Sequence, residues 1–204
     1  MNRGAPGLIL WSDDPDSLPW DVETDVLVIG AGGCGLVAAL SAAQEGARVL
    51  VVEKEGKAAG NTALSQGMIP GAGSRLQREA GIHDSPELMA RDIMAKNHGE
   101  SDPELTLHVA RQSGPLVDWL VDTLGIQLRL VTNFLYPGHS TYRVHAPAST
   151  KGVQLLKQLL LLQNLLLLPN LLLLHRQNNS TKLLYNNKIN KNSKKREVFL
   201  HLSF

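Results

Sequence analysis

Cysteine is nearly missing from this 204-residue chain, which has Cys34 alone. A lone cysteine closes no internal disulfide and cannot build a Cys-rich metal site, so no metal is expected, and the reading that fits is a reducing, cytoplasmic setting. Long apolar runs are missing near the start. Leu8–Trp11 is too short for the core of a secretion signal and acids follow it at once, so residues 1–23 are expected to be a leader draped over the domain. The Leu-rich stretch after 155 is interrupted by Lys157, Gln158, Gln163, Asn164, Pro169 and Asn170. A membrane span needs ~20 mostly apolar residues, so none is expected. An excess of charge is missing too: 20 Lys and Arg face 19 Asp and Glu, and a net of +1 argues against a nucleic-acid partner.

Acids are almost absent after position 150, where Glu197 stands against nine Lys and Arg. Residues 1–150 hold 18 acids and 11 bases, so two compositions are joined in one chain. The blocks LLLLQN, LLLLPN and LLLLHR repeat over 159–176 with a period of six, which matches neither a helix nor a strand. A helix-then-strand stretch and a fused foreign segment both remain open. Residues 177–196 are rich in Asn and Lys and are expected to be poorly ordered, so 156–204 reads as a low-complexity tail.

What is present lies between 24 and 155. Asp25-Val-Leu-Val-Ile-Gly30 is a continuous apolar run, the pattern of a strand buried in a parallel sheet. Leu36–Glu45 is rich in Ala and Leu and predicts a helix stopped by Gly46. Arg48–Val52 predicts a second strand, closed by Glu53. Together they form a βαβ unit, which places the fold in the α/β class: a Rossmann-like domain with a parallel sheet. Gly30-Ala-Gly32-Gly33-Cys34-Gly35 spells G-x-G-x-x-G between strand and helix, and Glu53 follows 18 residues after Gly35. In that context the pattern marks a dinucleotide site. Gly30 permits the turn, Gly32 leaves room for a diphosphate, and Gly35 lets helix and strand approach. The helix N-terminus favours the phosphates, and Glu53 accepts from ribose hydroxyls while repelling a 2′-phosphate.

Residues 54–82, with six glycines, read as loop. Ser85-Pro86-Glu87 and Asp102-Pro103-Glu104 each combine a capping oxygen, a proline at the first helical position and an acid in the first turn. They predict helices over 86–98 and 103–123, the second with a possible break at Gly114-Pro115. Gln127–Val131 reads as a strand and Thr132–Thr150 as a loop.

Four segments, DVLVIGAGGCG, VLVVEK, GNTALSQGM and YPGHSTYRVHAP, resemble the fumarate reductase and succinate dehydrogenase flavoprotein family, which also contains ketosteroid dehydrogenases. The resemblance covers about 24–155, the N-terminal part of an FAD-binding domain. It implies FAD, with Gly30, Gly32, Gly33, Cys34 and Gly35 along the diphosphate, Glu53 on the adenosine ribose and Lys54 on the adenine side. It places Asn61, Thr62, Ser65, Gly67 and Met68 around the flavin. Members that attach FAD covalently have a histidine before the threonine of this loop; Asn61 stands there, so non-covalent FAD is implied. The implied reaction is hydride transfer between flavin N5 and a carbon next to a carbonyl or carboxylate of a small-molecule substrate, with an electron donor or acceptor of unassigned identity. Relatives place the remaining substrate and proton-delivering groups in a later capping domain, and 155–204 matches none of it, so the catalytic residues are unassigned and the chain reads as incomplete.

His139, Tyr142, Arg143 and His145 share one loop and are substrate-side candidates, Arg143 because a guanidinium pairs a carboxylate bidentately. A surface loop with scattered polar groups is the plainer reading. Cys34 reads as a small packing residue beside the phosphates, His83, His98 and His108 as surface groups, and Trp11, Trp20 and Trp119 as packing. Two rival functions stand beside the flavoenzyme: a truncated, non-catalytic FAD-binding fragment, and an NAD-binding dehydrogenase.

Overall fold

The computed structural model describes residues 22–55, 57–165, 171–175, 182–189 and 196–203. The chain divides into two compact units, Met1–Ala59 with Gln163–Phe204, and Gly60–Leu162.

In the first unit, β1 (Val22–Thr24) leads into β2 (Val26–Ile29), α1 (Gly33–Gln44) and β3 (Val49–Glu53). β2 and β3 run parallel, pairing Val26 with Val49 through Ile29 with Val52. Helix α1 buries Leu36, Ala39, Leu40 and Ala43, the i, i+3, i+4, i+7 face. With Val49, Leu50 and Val51 these residues form the core, where each buried leucine contributes about 2 kcal/mol. The helix stops because Gly46 takes φ +83°, letting its N–H reach Ala43 O and the Ala47 N–H reach Ala42 O, a paired 5→2 and 6→1 closure. Arg48 ties the strand starts together. Its guanidinium bonds Asp25 at 2.9 Å and Glu23 at 3.0 Å, and Thr24 Oγ1 donates to Arg48 O at 2.6 Å.

The Leu-rich segment divides into a helix and a strand. The first block lies in α6 (Gly152–Leu165), and the third forms β7 (Leu171–His175), parallel to β3 on the side away from β2. A period of six looks like neither element because the blocks belong to different ones. Lys182–Ile189 forms β8, antiparallel to β9 (Arg196–Ser203), which also pairs with β1. β8 falls within 177–196, where the sequence predicts poor order, and carries the β-prone Tyr185 and Ile189; residues 177–181 and 190–195 of that stretch lie outside the described residues. Residues 1–21 of the expected leader lie outside the described residues, and its last two, Val22 and Glu23, belong to β1. Among the described residues no helix is long and apolar enough to cross a membrane.

The second unit holds α2 (Gly60–Leu64), β4 (Ile69–Pro70), α3 (Arg75–Glu79), α4 (Pro86–Lys96), α5 (Pro103–Asp118), β5 (Arg129–Leu130) and β6 (Val144–Ala146), as well as most of α6. Both proline-marked helix starts form as the sequence predicts. Ser85 Oγ accepts from Leu88 N–H at 3.1 Å and Asp102 Oδ1 from Leu105 N–H at 2.8 Å. Helix α5 runs through Pro115 unbroken, and its geometry changes only at a π-helical turn over Trp119–Thr123. Gly114 serves contact instead of a break: a Cβ there would lie 2.1 Å from Ala72 O.

Two expected loops contain structure. Residues 54–82 hold α2, β4 and α3. Ser74 and Gln77 form a capping box on α3, a Ser-x-x-Gln signal legible in the sequence but overshadowed by the glycines around it. Thr132–Thr150 contains β6, which pairs antiparallel with β4 and β5 in one small sheet.

Candidate functional site

The first unit brings the glycine motif and Glu53 together. β2 ends at Gly30, whose φ of +101° turns the chain away from the sheet. Gly30 N–H donates to Val52 O at 2.7 Å, which keeps the turn level with the end of β3. Gly35 packs directly under this turn; a Cβ there would sit 2.0 Å from Gly30 O and 3.2 Å from Val28 Cγ1. Gly32 is the opposite case: a Cβ there would meet nothing within 4 Å. Among the described residues its missing side chain therefore serves no packing contact, unlike that of Gly35. Gly32 is the N-cap of α1 and offers no side-chain cap, and the first turn holds no acid. The positive end of the helix is therefore not neutralised by side chains of that turn.

Glu53 points at this mouth. Its Oε2 accepts the Ala31 N–H at 2.7 Å and its Oε1 the Glu55 N–H at 3.0 Å. A carboxylate held at the end of the second strand can accept sugar hydroxyls, and the open space at Gly32 suits a diphosphate. The donor set therefore fits a dinucleotide. Cys34 is exposed, so it takes no part in the core. Lys54 is also exposed, and its ammonium lies 3.8 Å from Glu55.

The second unit carries the loop at 60–68. Asn61 O accepts from Ser65 N–H at 2.9 Å, Ser65 Oγ donates to Thr62 O at 2.8 Å, and Gly67 N–H donates to Ser65 Oγ at 3.0 Å. The start of α6 closes on this turn. Gly152 N–H donates to Ser65 O at 2.8 Å, and a Cβ at Gly152 would fall 1.7 Å from Thr62 O. Met68 packs on Val131, Val144 and Ala146. Asn61 and Ser65 are exposed, as is Leu64 at 87%.

Beneath this loop lies a buried polar network. Arg143 is fully buried, bonding Asp84 through Nε and Nη2 at 3.0 Å each and Asp92 through Nη1 at 2.6 Å. Burial alone would raise the Asp92 carboxyl, but donation from Ser140 N–H, Ser140 Oγ and Arg143 outweighs it and holds Asp92 below the usual carboxylate range. His145 is fully buried between Ser74 Oγ at 2.8 Å and Ile69 O at 3.3 Å, and burial pushes its ring below the ordinary imidazole value. His139 is half-buried against Tyr136 and lowered as well, first by burial and then by the Arg143 charge. Among the described residues no cluster of His, Cys, Asp or Glu could hold a metal ion.

The sequence profile of the FAD binding domain family matches residues 25–157. The chain belongs to this family. It is 37% identical over 129 residues to the NADH:fumarate oxidoreductase of Klebsiella pneumoniae (strain 342), an alignment covering 63% of this chain and 14% of that protein. The open conformation of a flavocytochrome c3 fumarate reductase superposes with a TM-score of 0.64 at 30% identity, over 74% of this chain and 26% of that one. The 3-ketosteroid-Δ4-(5α)-dehydrogenase of Rhodococcus jostii RHA1 superposes with a TM-score of 0.62 at 27% identity, over 82% and 40%. The chain thus spans well under half the length of these relatives. The family match decides between FAD and NAD in favour of FAD, which retires the NAD-dehydrogenase alternative.

Within this FAD binding domain, Gly30, Gly32, Gly33, Cys34, Gly35 and Glu53 gather around the turn after β2, and Asn61, Thr62, Ser65, Gly67 and Met68 around the turn after α2. The substrate-side residues fare differently. Arg143 and His145 do not stand on an open loop: β6 places His145 in the interior, and Arg143, the residue just before the strand, is buried with it, its guanidinium bonded to Asp84 and Asp92. The pairing of Arg143 with a substrate carboxylate loses its geometric basis, because the guanidinium is wholly buried and each of its three nitrogens already donates to Asp84 or Asp92. Tyr142 is half-buried, and its carbonyl accepts from Gln77 Nε2 at 2.8 Å. Sequence reasoning missed Ser74, Gln77, Asp84 and Asp92. Only the first pair leaves a local signal, since the acids lie 59 and 51 residues from Arg143.

Proposed function

We propose that this chain holds FAD without a covalent bond and serves an oxidoreductase of the fumarate reductase and ketosteroid dehydrogenase kind, working in the cytoplasm. The reaction is hydride transfer between flavin N5 and a carbon next to a carbonyl or carboxylate of a small-molecule substrate, in exchange with a separate electron donor or acceptor. The observation that carries this reading is the Glu53 carboxylate, held on the Ala31 N–H beside the side-chain-free mouth of α1. The relatives support the chemistry: one is a fumarate oxidoreductase and another a 3-ketosteroid dehydrogenase.

FAD supplies the hydride chemistry when bound. The protein binds and orients. Gly32, Gly33 and Cys34 border the diphosphate, and the dipole of α1 offsets its charge. Glu53 takes the adenosine ribose and disfavours a 2′-phosphate, and Lys54 lies toward the adenine. Asn61, Thr62, Ser65, Gly67 and Met68 border the flavin, where backbone N–H groups favour negative charge on a reduced ring. Asn61 offers no nucleophile for attachment, which supports non-covalent binding. His139 and Tyr142 remain the substrate-side candidates of the 136–147 segment.

The test is direct. The purified chain is expected to bind added FAD, to release all of it on acid precipitation, and to support reduction of an activated C=C substrate by a reduced dye in the context of the full-length enzyme. Colour retained in the acid pellet would contradict non-covalent binding. A second reading, an FAD-holding segment without turnover, predicts FAD binding with no dye oxidation.

A further inference from the structure

The hydrogen bonds around His145 favour one neutral tautomer. Ile69 O can only accept, so the ring proton sits on Nδ1, 3.3 Å away. Ser74 Oγ already accepts the Gln77 N–H at 3.2 Å, and its own hydrogen meets His145 Nε2 at 2.8 Å. A neutral imidazole with a bare Nε2 therefore completes the set. Ser74 and His145 are both at 0% exposure, so bulk solvent does not reach either group.

From Ser74 the chain of bonds continues without a gap. Gln77 Oε1 accepts the Ser74 N–H at 3.1 Å, and Gln77 Nε2 donates to Asp84 Oδ2 and Tyr142 O at 2.8 Å each. Asp84 takes Arg143, Arg143 reaches Asp92, and Asp92 accepts Ser140 N–H and Oγ at 2.9 Å. At the other end, Ile69 follows directly on Gly67 and Met68 and pairs with His145 across β4 and β6.

We infer that neutral His145 is a proton-sensitive latch on the 65–69 turn, so that a second proton on its ring frees this turn and weakens the hold on the flavin. The flavin half of the inference rests on the FAD reading above. A protonated Nε2 donates to Ser74 Oγ, which strands the Ser74 hydroxyl hydrogen in the interior beside a buried cation. The ring reaches water only by parting β4 and α3 from β6. Charged groups around the ring do not remove this penalty. On α5, Asp118 attracts the cation but is engaged by Arg75 N–H at 2.7 Å and by Arg78 at 3.3 Å. Asp84 is engaged by Arg143, which stands two residues before His145 and repels the cation. On α3, Arg75 is paired with Glu79 and Asp122. On β5, Arg129 is exposed and pairs in register with Ala146, and β4 brings no titratable group.

The test uses the whole chain. Nitrogen NMR of the His145 ring is expected to show the Nδ1–H tautomer near neutrality. Opening of the 65–71 turn, measured as amide exchange relative to the intrinsic rate at each pH, is expected to rise about tenfold between about pH 7 and about pH 5, along with His145 protonation. His145→Gln, whose side-chain oxygen accepts from Ser74 and does not titrate, is expected to lose that rise. Ser74→Ala, which removes the hydroxyl that would be stranded, is expected to move the His145 titration upward. An Nε2–H tautomer in the wild type, or exchange in His145→Gln as acid-sensitive as in wild type, would overturn the latch. FAD titration followed by flavin fluorescence separates the two readings. Exchange that behaves as described with no FAD binding at any pH sinks the flavin reading and leaves the latch. FAD affinity unmoved while the turn opens sinks the link to the flavin.

Discussion

The Glu53 carboxylate accepts the Ala31 N–H at 2.7 Å, across 22 residues of sequence, and so ties the end of β3 to the turn after β2. The bond orients Glu53 before any ligand arrives, and pre-organisation of this kind lowers the entropic cost of binding. Glu53→Ala is expected to cost about 1 kcal/mol of stability, the low side for a charged acceptor because the site is only half-buried. It is also expected to weaken FAD. Urea denaturation and flavin fluorescence titration measure the two effects separately.

Gly35→Ala acts on folding instead. The added Cβ would lie 2.0 Å from Gly30 O, a backbone atom that cannot step aside without breaking its place beside β3. A loss of about 1–3 kcal/mol is expected in denaturant melts without any cofactor.

Arg143→Met removes a cation and leaves the Asp84 and Asp92 side chains, 0% and 13% exposed, without their shared partner. Breaking a buried pair from one side costs about 3–5 kcal/mol. The second unit is expected to lose its cooperative thermal transition first, readable by exchange over 84–92 and 140–145.

Acidification is expected to weaken the protein in two steps. His145 and His139 are held below the ordinary imidazole value of 6.5, so the unfolded chain takes up their protons before the folded chain does. Their contribution is complete above 6.5 and is lost as pH falls from there toward the folded values. Asp92 is held below 3.8, so its contribution is complete above 3.8 and is lost as pH falls through its folded value. A pH series of urea midpoints reads both steps, and replacing both histidines by Gln is expected to remove the first.

The β2–α1–β3 unit was legible because its signals are local: an apolar run, glycines at fixed offsets, an Ala-rich face and an acid closing the second strand. Ser85 and Asp102 announced α4 and α5 for the same reason, since a cap needs only its next three residues. Strand β6 was hidden, being three residues long with a histidine inside it, and its strand character comes from pairing with Ile69–Pro70 and Arg129–Leu130. The interior place of Arg143 was hidden too. Nothing near it in sequence announces acids supplied from α4 and the segment before it, so a guanidinium among polar residues read as a surface group. Gly114-Pro115 misled in the other direction, because a glycine kept for close approach to Ala72 looks in sequence like one kept for a break.

The central claim is that the mouth of α1 is kept clear for the diphosphate of FAD, and Gly32→Ala tests it most directly. An alanine Cβ there meets nothing within 4 Å among the described residues, at an ordinary φ of −76°. FAD titration of wild type and Gly32→Ala, paired with urea melts of both without FAD, is predicted to show stability lowered by no more than about 1 kcal/mol, the cost of alanine at an N-cap, and FAD affinity weakened about tenfold or more, the equivalent of 1.4 kcal/mol. Equal FAD affinity in the two proteins would contradict the account.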